Sequence, residues 1–562
     1  MDMPNFPEII YERPSLDVFR ECVLRVRLKI MTAHSAATIE SGLLEFQKEL
    51  SRFDTAFTLC QIRHDLDTSD PFYCDEMEFF EESGPMIDDL AAGVYTLLLS
   101  STYRDELTSR FGGMIFRKAL TRKETISTEI LADLTLEAAL ENDYNQMMSE
   151  AIVTFDGQEY ALSMMEPFLE SSDRETRRRA HLAVADFFRE KKASFDEIFD
   201  RLVSIRTSIA KKLSYPSFVE LGYKRMERYD YTPEMVSSFR SLVVRYIVPV
   251  TSEIRRLQRE RLEVSELKFY DFPFLFPNGN PRPILAPDDL HEAAATLFRK
   301  IFEKDPSFFD VLASHQFMDL TARKAKSTGG YCSTLLDYGI PYVFMNANGT
   351  ADDVATLIHE SGHAYAAIRS ADSSPFIECL SPTLETCEIH STAMEYLTYP
   401  HMEIFFGEHA DAYRQLHMTR ALLFLPYGCM VDEFQHVIYS NPEMSKAERD
   451  SVWRLLEDKY QPFMDYDGVE IYETGGAWQK KGHIFTDPFY YIDYCLAQIC
   501  ALEIWDRAQK DPKAALSAYD QLCMEGGNAT FLELLRKAGL TSPFKPDLFK
   551  KVAYKACEYL NL

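Results

Sequence analysis

The stretch that most constrains this chain covers residues 350–369 and reads TADDVATLIHESGHAYAAIR. It opens with a T-x-x-D variant of the capping box and contains no proline, so we predict a helix here. Because residues four apart lie on one face of a helix, the imidazoles of His359 and His363 can point at one ion. Glu360 can then hold and deprotonate a water on that ion. The stretch therefore predicts a metal site of the zinc type.

The acidic charge balance of the chain narrows the classes of partner. Its 562 residues carry a formal net charge of −28, and a surface of that sign repels phosphate backbones and anionic lipids. We therefore expect no nucleic-acid partner and no binding to a membrane surface. Hydrophobic residues make up 46% of the chain, which is ample for a folded core.

Targeting signals are not evident in the sequence. The stretch MDMPNFPEIIYERPSLDV lacks a basic region followed by an apolar core, so it does not resemble a signal peptide. No apolar run reaches the roughly 18 residues that span a bilayer. The 11 cysteines include no CxxC pair, and we interpret them as buried thiols of a reducing compartment. Together these features predict a cytoplasmic protein.

Most of the chain has the mixed apolar and charged pattern of helices, which begins near residue 21. Asp156-Gly157 lies between the runs IVTF and QEYALS, which is a signal for a two-stranded hairpin. We place a boundary near this hairpin. The prediction is an N-terminal helical region at 1–170 and a second region at 171–562 that contains the metal site. The two lobes need not be sequential along the chain.

Short β-like segments precede the metal-site helix. Residues 318–350 contain several glycines, and the run YVFMN at Tyr342–Asn346 is predicted to form a strand leading towards that helix. Two interpretations stay open for this strand. It presents an exposed edge that pairs with an extended peptide by strand addition, or it is an ordinary member of a small sheet.

A third ligand is needed to complete a zinc site that keeps one position open. The extension HExxHxxGxxH is absent, because alanine and arginine stand where it needs glycine and the third histidine. The common remaining solution is a carboxylate from a later helix, and residues 381–397 are predicted to form one. Glu385, Glu388 and Glu395 lie on one side of that helix, and spacing alone does not choose among them.

Four features of the sequence together resemble one family. They are NGTADDVATLIHESGHA, the pattern Glu388-x-x-Ser391-x-x-x-Glu395 that begins 25 residues after the second histidine, His483 followed by FYYIDYCLAQ, and GGYC at 329–332. In these features the chain resembles the oligoendopeptidase F and thimet oligopeptidase family of zinc metallopeptidases. It is most similar to the oligoendopeptidase F and Pz-peptidase branch, and the resemblance covers about residues 320–505.

The resemblance implies a mainly α fold, a helical ellipsoid of two lobes around a deep channel, with a small β-sheet near the HExxH helix. It also implies one zinc per chain, held by His359, His363 and Glu388. Glu360 would act as the general base. Glu395 would accept the free N–H of a ligand histidine and so orient it.

The resemblance also implies groups that stabilise the oxyanion formed during peptide hydrolysis. The family uses a late histidine and tyrosines, and the matching positions are His483, Tyr491 and Tyr494, with Tyr490 as an additional candidate. The choice among the tyrosines stays open, because Asp487-Pro488 stands where longer relatives carry another tyrosine. We further expect the Gly-rich turn and the following strand to bind substrate through Gly329, Gly330, Tyr331, Phe344, Met345 and Asn346.

By this resemblance we expect a zinc endopeptidase that cuts internal bonds of short, unfolded peptides admitted by the channel. Two alternatives stay open. A di-iron carboxylate enzyme could use two ExxH motifs, Glu360-x-x-His363 and Glu433-x-x-His436, although His359 would then have no role. The other is a helical peptide-binding protein without activity. The sequence is compatible with either a monomer or a homo-oligomer.

Overall fold

Helices dominate the described chain, which comprises residues 4–302 and 307–562 of a computed structural model. The prediction of a mainly α fold with small sheets is confirmed. Many helices begin after a residue whose side chain accepts a hydrogen bond from a backbone N–H of the first turn, as at Ser15, Ser35, Asp173 and Thr232. None of the described helices combines the length and the apolar character that crossing a bilayer requires.

The helices of the described ranges are numbered in chain order. Those before residue 270 are α1 (Leu16–Met31), α2 (Ala36–Leu66), α3 (Pro71–Leu99), α4 (Arg104–Phe111), α5 (Met114–Thr125), α6 (Leu131–Ser149), α7 (Glu166–Leu169), α8 (Arg174–Lys212), α9 (Phe218–Arg225), α10 (Pro233–Tyr246) and α11 (Val248–Arg261). The later ones are α12 (Leu290–Ile301), α13 (Ser307–Ser314), α14 (Ala351–Ser370), α15 (Leu384–Leu397), α16 (Glu403–Phe406), α17 (Ala410–Ser440), α18 (Lys446–Tyr460), α19 (Glu470–Glu473), α20 (Gly482–Thr486), α21 (Tyr491–Ala508), α22 (Pro512–Glu525), α23 (Phe531–Lys537) and α24 (Pro546–Leu560).

The chain divides into two compact units, each assembled from separate segments. The first unit comprises Met1–Thr128, Arg282–Ala410 and Cys500–Ser542. The second unit comprises Glu129–Pro281, Asp411–Ile499 and Pro543–Leu562. The division after residue 170 that the sequence suggests falls within the second unit, and it stays a prediction.

The hairpin predicted at Asp156-Gly157 is confirmed, and it belongs to the second unit. Its strands are β1 (Ile152–Phe155) and β2 (Gln158–Ala161), which pair antiparallel. The φ angles of Asp156 and Gly157 are 50° and 79°. These left-handed conformations are what a two-residue type I′ turn requires, and glycine adopts them without strain.

A three-stranded sheet in the first unit precedes α14. Its strands are β3 (Met318–Thr321), β4 (Tyr331–Leu335) and β5 (Ile340–Ala347), in the spatial order β3-β5-β4. Because β5 pairs in parallel with β3 and antiparallel with β4, both of its edges are already occupied. The interpretation that residues 342–346 offer an exposed edge is therefore wrong. The alternative of an ordinary strand in a small sheet is confirmed.

Helices α14 and α15 bring their backbones very close together at Gly362. A Cβ atom at Gly362 would lie 2.6 Å from the carbonyl oxygen of His390 and 2.7 Å from Cα of Ser391. Tyr519 of α22 donates a hydrogen bond to the same His390 carbonyl oxygen over 2.9 Å, which supports α15 from another direction. The glycine of the HExxH motif thus lets α15 lie directly against α14.

We predict that Gly362→Ala lowers the free energy of unfolding by about 1–3 kcal/mol, because the new methyl group would meet backbone atoms that no side-chain rotation can clear. The midpoint of urea unfolding measures this change. Gly42→Ala in α2 is the matched control. A Cβ at Gly42 would lie 3.5 Å from Lys29, an ordinary contact, so we expect a gain of about 0.5–1 kcal/mol. Equal midpoints for the two variants would contradict the close approach.

Candidate active site

The first turn of α14 is fixed by Asp353, and this turn sets the register of the HExxH motif. The Asp353 carboxylate accepts hydrogen bonds from the backbone N–H groups of Asn348, Gly349 and Thr350, over 2.9, 2.5 and 3.1 Å. The donors lie just before the helix, where backbone N–H groups lack helical partners. The predicted capped helix is therefore confirmed, and its two histidines face the same side.

Three side chains with metal-binding atoms meet in the first unit. The ligand atoms of His359, His363 and Glu388 all lie within 4.8 Å of one another. Glu388 Oε2 is 3.3 Å from His359 Nε2 and 3.9 Å from His363 Nε2. Two ligands at about 2.1 Å from a tetrahedral zinc are separated by about 3.4 Å, so these spacings fit zinc. Within the described ranges no other group of three such residues is present.

Hydrogen bonds from α15 fix the orientation of two members of this cluster. His359 Nδ1 donates to Glu395 Oε1 over 2.7 Å, which leaves the Nε2 atom facing Glu388. Ser391 Oγ donates to Glu388 Oε2 over 3.2 Å. A carboxylate that accepts the second N–H of an imidazole selects the tautomer that can bind a metal. The contact predicted between Glu395 and a histidine is therefore present.

The cluster concentrates negative charge in a buried place. Burial raises the pKa of Glu360 to about 7, and the carboxylates of Glu388 and Glu395 add to this effect. Burial lowers the pKa of His363 to about 4. Burial also lowers the pKa of His359, but hydrogen bonds to Glu388 and Glu395 outweigh it, and the net pKa lies well above the usual value. Such a surplus of carboxylates stabilises a cation.

A second cluster, in the second unit, gathers the histidine and tyrosines of the late motif. The ring centroid of His483 lies 4.9 Å from that of Tyr491, 5.9 Å from that of Tyr490 and 6.0 Å from that of Tyr494. In addition, Lys481 Nζ donates a hydrogen bond to the Tyr491 hydroxyl over 3.0 Å. The three tyrosines named from the motif therefore lie around the imidazole of His483.

The backbone of Phe489, which precedes the tyrosines, is held in an unusual conformation. Its φ angle is 70°, a left-handed value that costs energy for a residue with a large side chain. The N–H of Phe489 donates to Gln435 Oε1 over 2.8 Å, and its carbonyl oxygen accepts from Arg228 Nη2 over 2.5 Å. Arg228 also pairs with Asp493 of α21 over 2.8 Å, and both side chains are fully buried.

The ring of Phe489 is anchored as firmly as its backbone. It packs against the rings of Tyr223, His436 and Tyr439 at centroid distances of 5.9, 5.0 and 5.5 Å. A Cβ atom on Gly222 would lie only 2.5 Å from this ring, so α9 approaches it without any intervening side chain. These contacts offset the strained φ angle and fix the start of α21, where the tyrosines stand.

The residues predicted to bind substrate differ in their exposure to solvent. Gly329 and Gly330 are exposed, and Tyr331 and Asn346 are partly buried. Phe344 and Met345 expose only 0% and 2% of their surface, so their side chains belong to the core of the sheet. Tyr331 stacks on Phe344 at 4.8 Å. A substrate role for the six residues stays a prediction.

Hydrogen bonds tie the Gly-rich turn to the rest of the first unit. The Tyr331 hydroxyl donates to Asp65 Oδ2 of α2 over 2.9 Å, and Ser327 Oγ donates to Asp65 Oδ1 over 2.7 Å. Asn346 Nδ2 donates to the carbonyl oxygens of Ser327 and Gly329 over 2.8 and 2.9 Å. The turn is thus fixed by α2 on one side and by β5 on the other.

Three residues that hold these groups were not foreseen in the sequence, namely Asp65, Arg228 and Lys481. Asp65 and Arg228 lie in segments with an ordinary helical pattern, far along the chain from the motifs that they contact. No local sequence signal indicates their role. Lys481 lies two residues before His483, so its position beside a candidate residue was a usable signal.

Comparison with known proteins identifies the family. The family model described as Peptidase M3 N-terminal domain matches residues 6–126, and the model described as Peptidase family M3 matches residues 294–554. A crystal structure assigned to oligoendopeptidase F is 42% identical, covers 99% of this chain and 99% of its own, and superposes with a TM-score of 0.95. The chain belongs to peptidase family M3.

Two further relatives agree with membership of family M3. A structure of Pz peptidase A with an inhibitor is 42% identical, covers 99% of each chain and has a TM-score of 0.95. Oligopeptidase PepF of Bacillus subtilis is 21% identical over 552 residues, which cover 91% of this chain and 79% of the relative. The resemblance to oligoendopeptidase F and Pz peptidase is confirmed, and this member of family M3 is a peptidase.

The second ExxH motif, on which the alternative of a di-iron enzyme depends, makes other contacts in the structure. Both carboxylate oxygens of Glu433 accept from Lys459 Nζ, over 2.8 and 2.6 Å, and one also accepts from the Tyr460 hydroxyl. His436 instead contacts the Tyr223 hydroxyl at 3.1 Å. Glu433 and His436 therefore contribute to the packing of the second unit. Because the chain belongs to a peptidase family, a role as iron ligands is not required of them.

We predict that Arg228→Met destabilises the second unit by about 3–5 kcal/mol, because it removes the cation that pairs with the buried carboxylate of Asp493. Urea unfolding followed by tryptophan fluorescence measures the loss. Arg256→Met is the matched control, since Arg256 pairs with Glu253 and Glu260 at the surface of the same unit, and we expect an unchanged midpoint. If both variants unfolded like the parent chain, the buried pair would not be the anchor described above.

Proposed function

We propose that this chain is a zinc-dependent endopeptidase that hydrolyses internal bonds of short, unfolded oligopeptides. The observation that carries the proposal is the approach of His359, His363 and Glu388, whose ligand atoms lie within 4.8 Å of one another. Two imidazoles and one carboxylate are a ligand set of catalytic zinc sites, which keep a further position open. Membership of a peptidase family supports the same activity.

Zinc would be held by His359, His363 and Glu388, with Glu395 orienting the first of these. When bound, zinc lowers the pKa of a coordinated water towards about 7 and polarises a carbonyl group. The hydrogen bond from His359 Nδ1 to Glu395, at 2.7 Å, keeps the Nε2 lone pair directed at the cluster. The hydroxyl of Ser391 donates a hydrogen bond to Glu388 Oε2 and so holds this carboxylate in place.

Glu360 is the proton carrier of the proposed reaction. It follows His359 directly in α14, and only 6% of its surface is exposed. A carboxylate in this place takes a proton from the water that attacks the scissile carbonyl, and it then delivers that proton to the leaving amine.

His483 and the tyrosines supply hydrogen bonds to the oxyanion that forms on the scissile carbonyl. A tyrosine hydroxyl donates while remaining neutral near pH 7, and an imidazole N–H donates in the same manner. Tyr490, Tyr491 and Tyr494 surround His483 in the second unit.

The preference for short peptides rests on the relatives and on the sheet. Proteins named oligopeptidase and oligoendopeptidase are among the relatives of this chain. In the described sheet β4 is an edge strand, and it directly follows the exposed Gly329 and Gly330. An extended peptide can pair with such an edge through its backbone, so an unfolded substrate is needed.

The test of the whole proposal is hydrolysis of a quenched fluorescent peptide with and without a chelator such as phenanthroline. We expect cleavage that chelation abolishes and that zinc restores, with about one zinc per chain by mass spectrometry. Intact casein at equal mass is the control for substrate size, and we expect it to be cut far more slowly. A chain that binds the peptide without cutting it, with zinc present, would be the inactive peptide-binding protein.

We predict that Glu360→Gln keeps its zinc but lowers kcat by about 10²–10⁴-fold, because the amide cannot carry the proton. His359→Ala should lose the metal as well, since it removes a ligand. Asp352→Asn, which changes an exposed carboxylate of the same helix, is the matched control and should retain both zinc and activity. Mass spectrometry and peptide cleavage on the three variants measure these outcomes. A Glu360→Gln variant with normal kcat would refute the assigned role.

A further inference from the structure

The hydrogen bond between Lys481 and Tyr491 has only one possible direction. Lys481 Nζ lies 3.0 Å from the Tyr491 hydroxyl oxygen, 4.6 Å from the Tyr491 ring centroid and 5.6 Å from the Tyr427 ring centroid. An ammonium group has three N–H donors and no acceptor. The tyrosine oxygen therefore accepts from Lys481, and the proton of the Tyr491 hydroxyl must point elsewhere.

Neither member of this pair has a competing partner in the part of the chain that the structure describes. No carboxylate there forms an ion pair with Lys481, and its amine donates its single hydrogen bond to Tyr491. The Tyr491 hydroxyl proton has no acceptor among the same residues. Only 7% of the Tyr491 surface is exposed. A buried hydroxyl that lacks an acceptor is ready to donate to a ligand.

The surroundings of Lys481 make its charge unfavourable for folding. Burial, followed by the charge of neighbouring Lys480, lowers the pKa of Lys481 to about 8, so the ammonium is still the major form at pH 7. A cation in such a place without a carboxylate destabilises the folded state. Residues that weaken a fold are commonly retained for activity. The unfavourable placement of this charge therefore indicates a functional role for the ammonium group.

We infer that Lys481 is a positioning residue that fixes Tyr491 as the tyrosine that donates to the developing oxyanion. The inference rests on the proposed function and deepens it. Because Lys481 donates to a lone pair of the Tyr491 oxygen, the O–H bond of Tyr491 points away from Lys481. Its positive charge beside that oxygen also makes the O–H a stronger donor, because hydrogen bonds in a chain polarise one another. The hydrogen bond from the Tyr491 O–H strengthens as negative charge develops on the substrate oxygen, so it lowers the barrier more than it strengthens substrate binding.

A double-mutant cycle tests this inference. We expect Tyr491→Phe to lower kcat by about 10²-fold and Lys481→Met by about tenfold, with KM in both cases within about twofold of the parent. Because Lys481 acts through the hydroxyl, Lys481→Met in the Tyr491→Phe background should add no further loss. Lys481→Arg, which keeps a permanent cationic donor, should recover most of the activity.

Lys480→Met is the matched control for charge. Lys480 is the adjacent lysine, and its amine lies 4.5 Å from the ring of Tyr472, which is not one of the tyrosines of the late motif. Its removal changes the net charge equally and should leave kcat and KM as they are. The urea midpoint of Lys481→Met should equal or exceed that of the parent, which separates the loss of kcat from any loss of folding.

Several outcomes would overturn the inference in distinguishable ways. Losses of kcat that multiply in the double variant would show that Lys481 does not act through Tyr491. An equal loss in Lys480→Met would reduce the effect to general charge. If Tyr491→Phe kept its full kcat, the tyrosine part of the proposed function would fail too. The zinc content and the Glu360→Gln result report on the rest of the proposal independently.

Discussion

The contact between the backbones of α14 and α15 at Gly362 is the constraint on which the metal-binding cluster depends. Helical spacing alone brings His359 and His363 to one face, but a third ligand must come from another element. With no side chain between the helices, α15 lies close enough for Glu388 to reach 3.3 Å from His359. The same proximity lets Glu395 bind the other nitrogen of that imidazole. The absence of a Cβ atom at Gly362 thus allows both the approach of Glu388 to the histidines and the hydrogen bond that orients His359.

The two clusters of the molecule rely on different physical means. The histidine and glutamate cluster is built from regular helices, and its geometry follows from helical repeat and close packing. The tyrosine cluster follows a strained residue, Phe489, which is held by a buried ion pair and an aromatic cage. Strain of this kind persists only where several contacts enforce it, and it places side chains where a regular helix start would not. In the second case the contacts around Phe489 offset the strain that this placement introduces.

Features of this fold that neighbouring residues set could be predicted from the sequence, whereas those that distant residues set could not. The capped helix of the HExxH motif and the Asp156-Gly157 hairpin are set by neighbours in sequence, and both were predictable. The ligand Glu388 could not be chosen by spacing, and resemblance to a family was needed. The order of strands around β5 depends on a parallel partner that no adjacent residue specifies, so the proposed edge was wrong. Asp65 and Arg228 reach residues over 260 positions away, beyond any local pattern.

The interleaving of the two units along the chain has a consequence for synthesis on the ribosome. The first unit needs both Met1–Thr128 and Cys500–Ser542, and Tyr519 from the last of its segments supports α15. At about 5–20 residues per second, translation separates those segments by roughly 20–75 s. The helices of the early segment pack largely against one another, but the surfaces that later segments cover stay exposed to solvent during that interval, and such surfaces favour aggregation of a nascent chain.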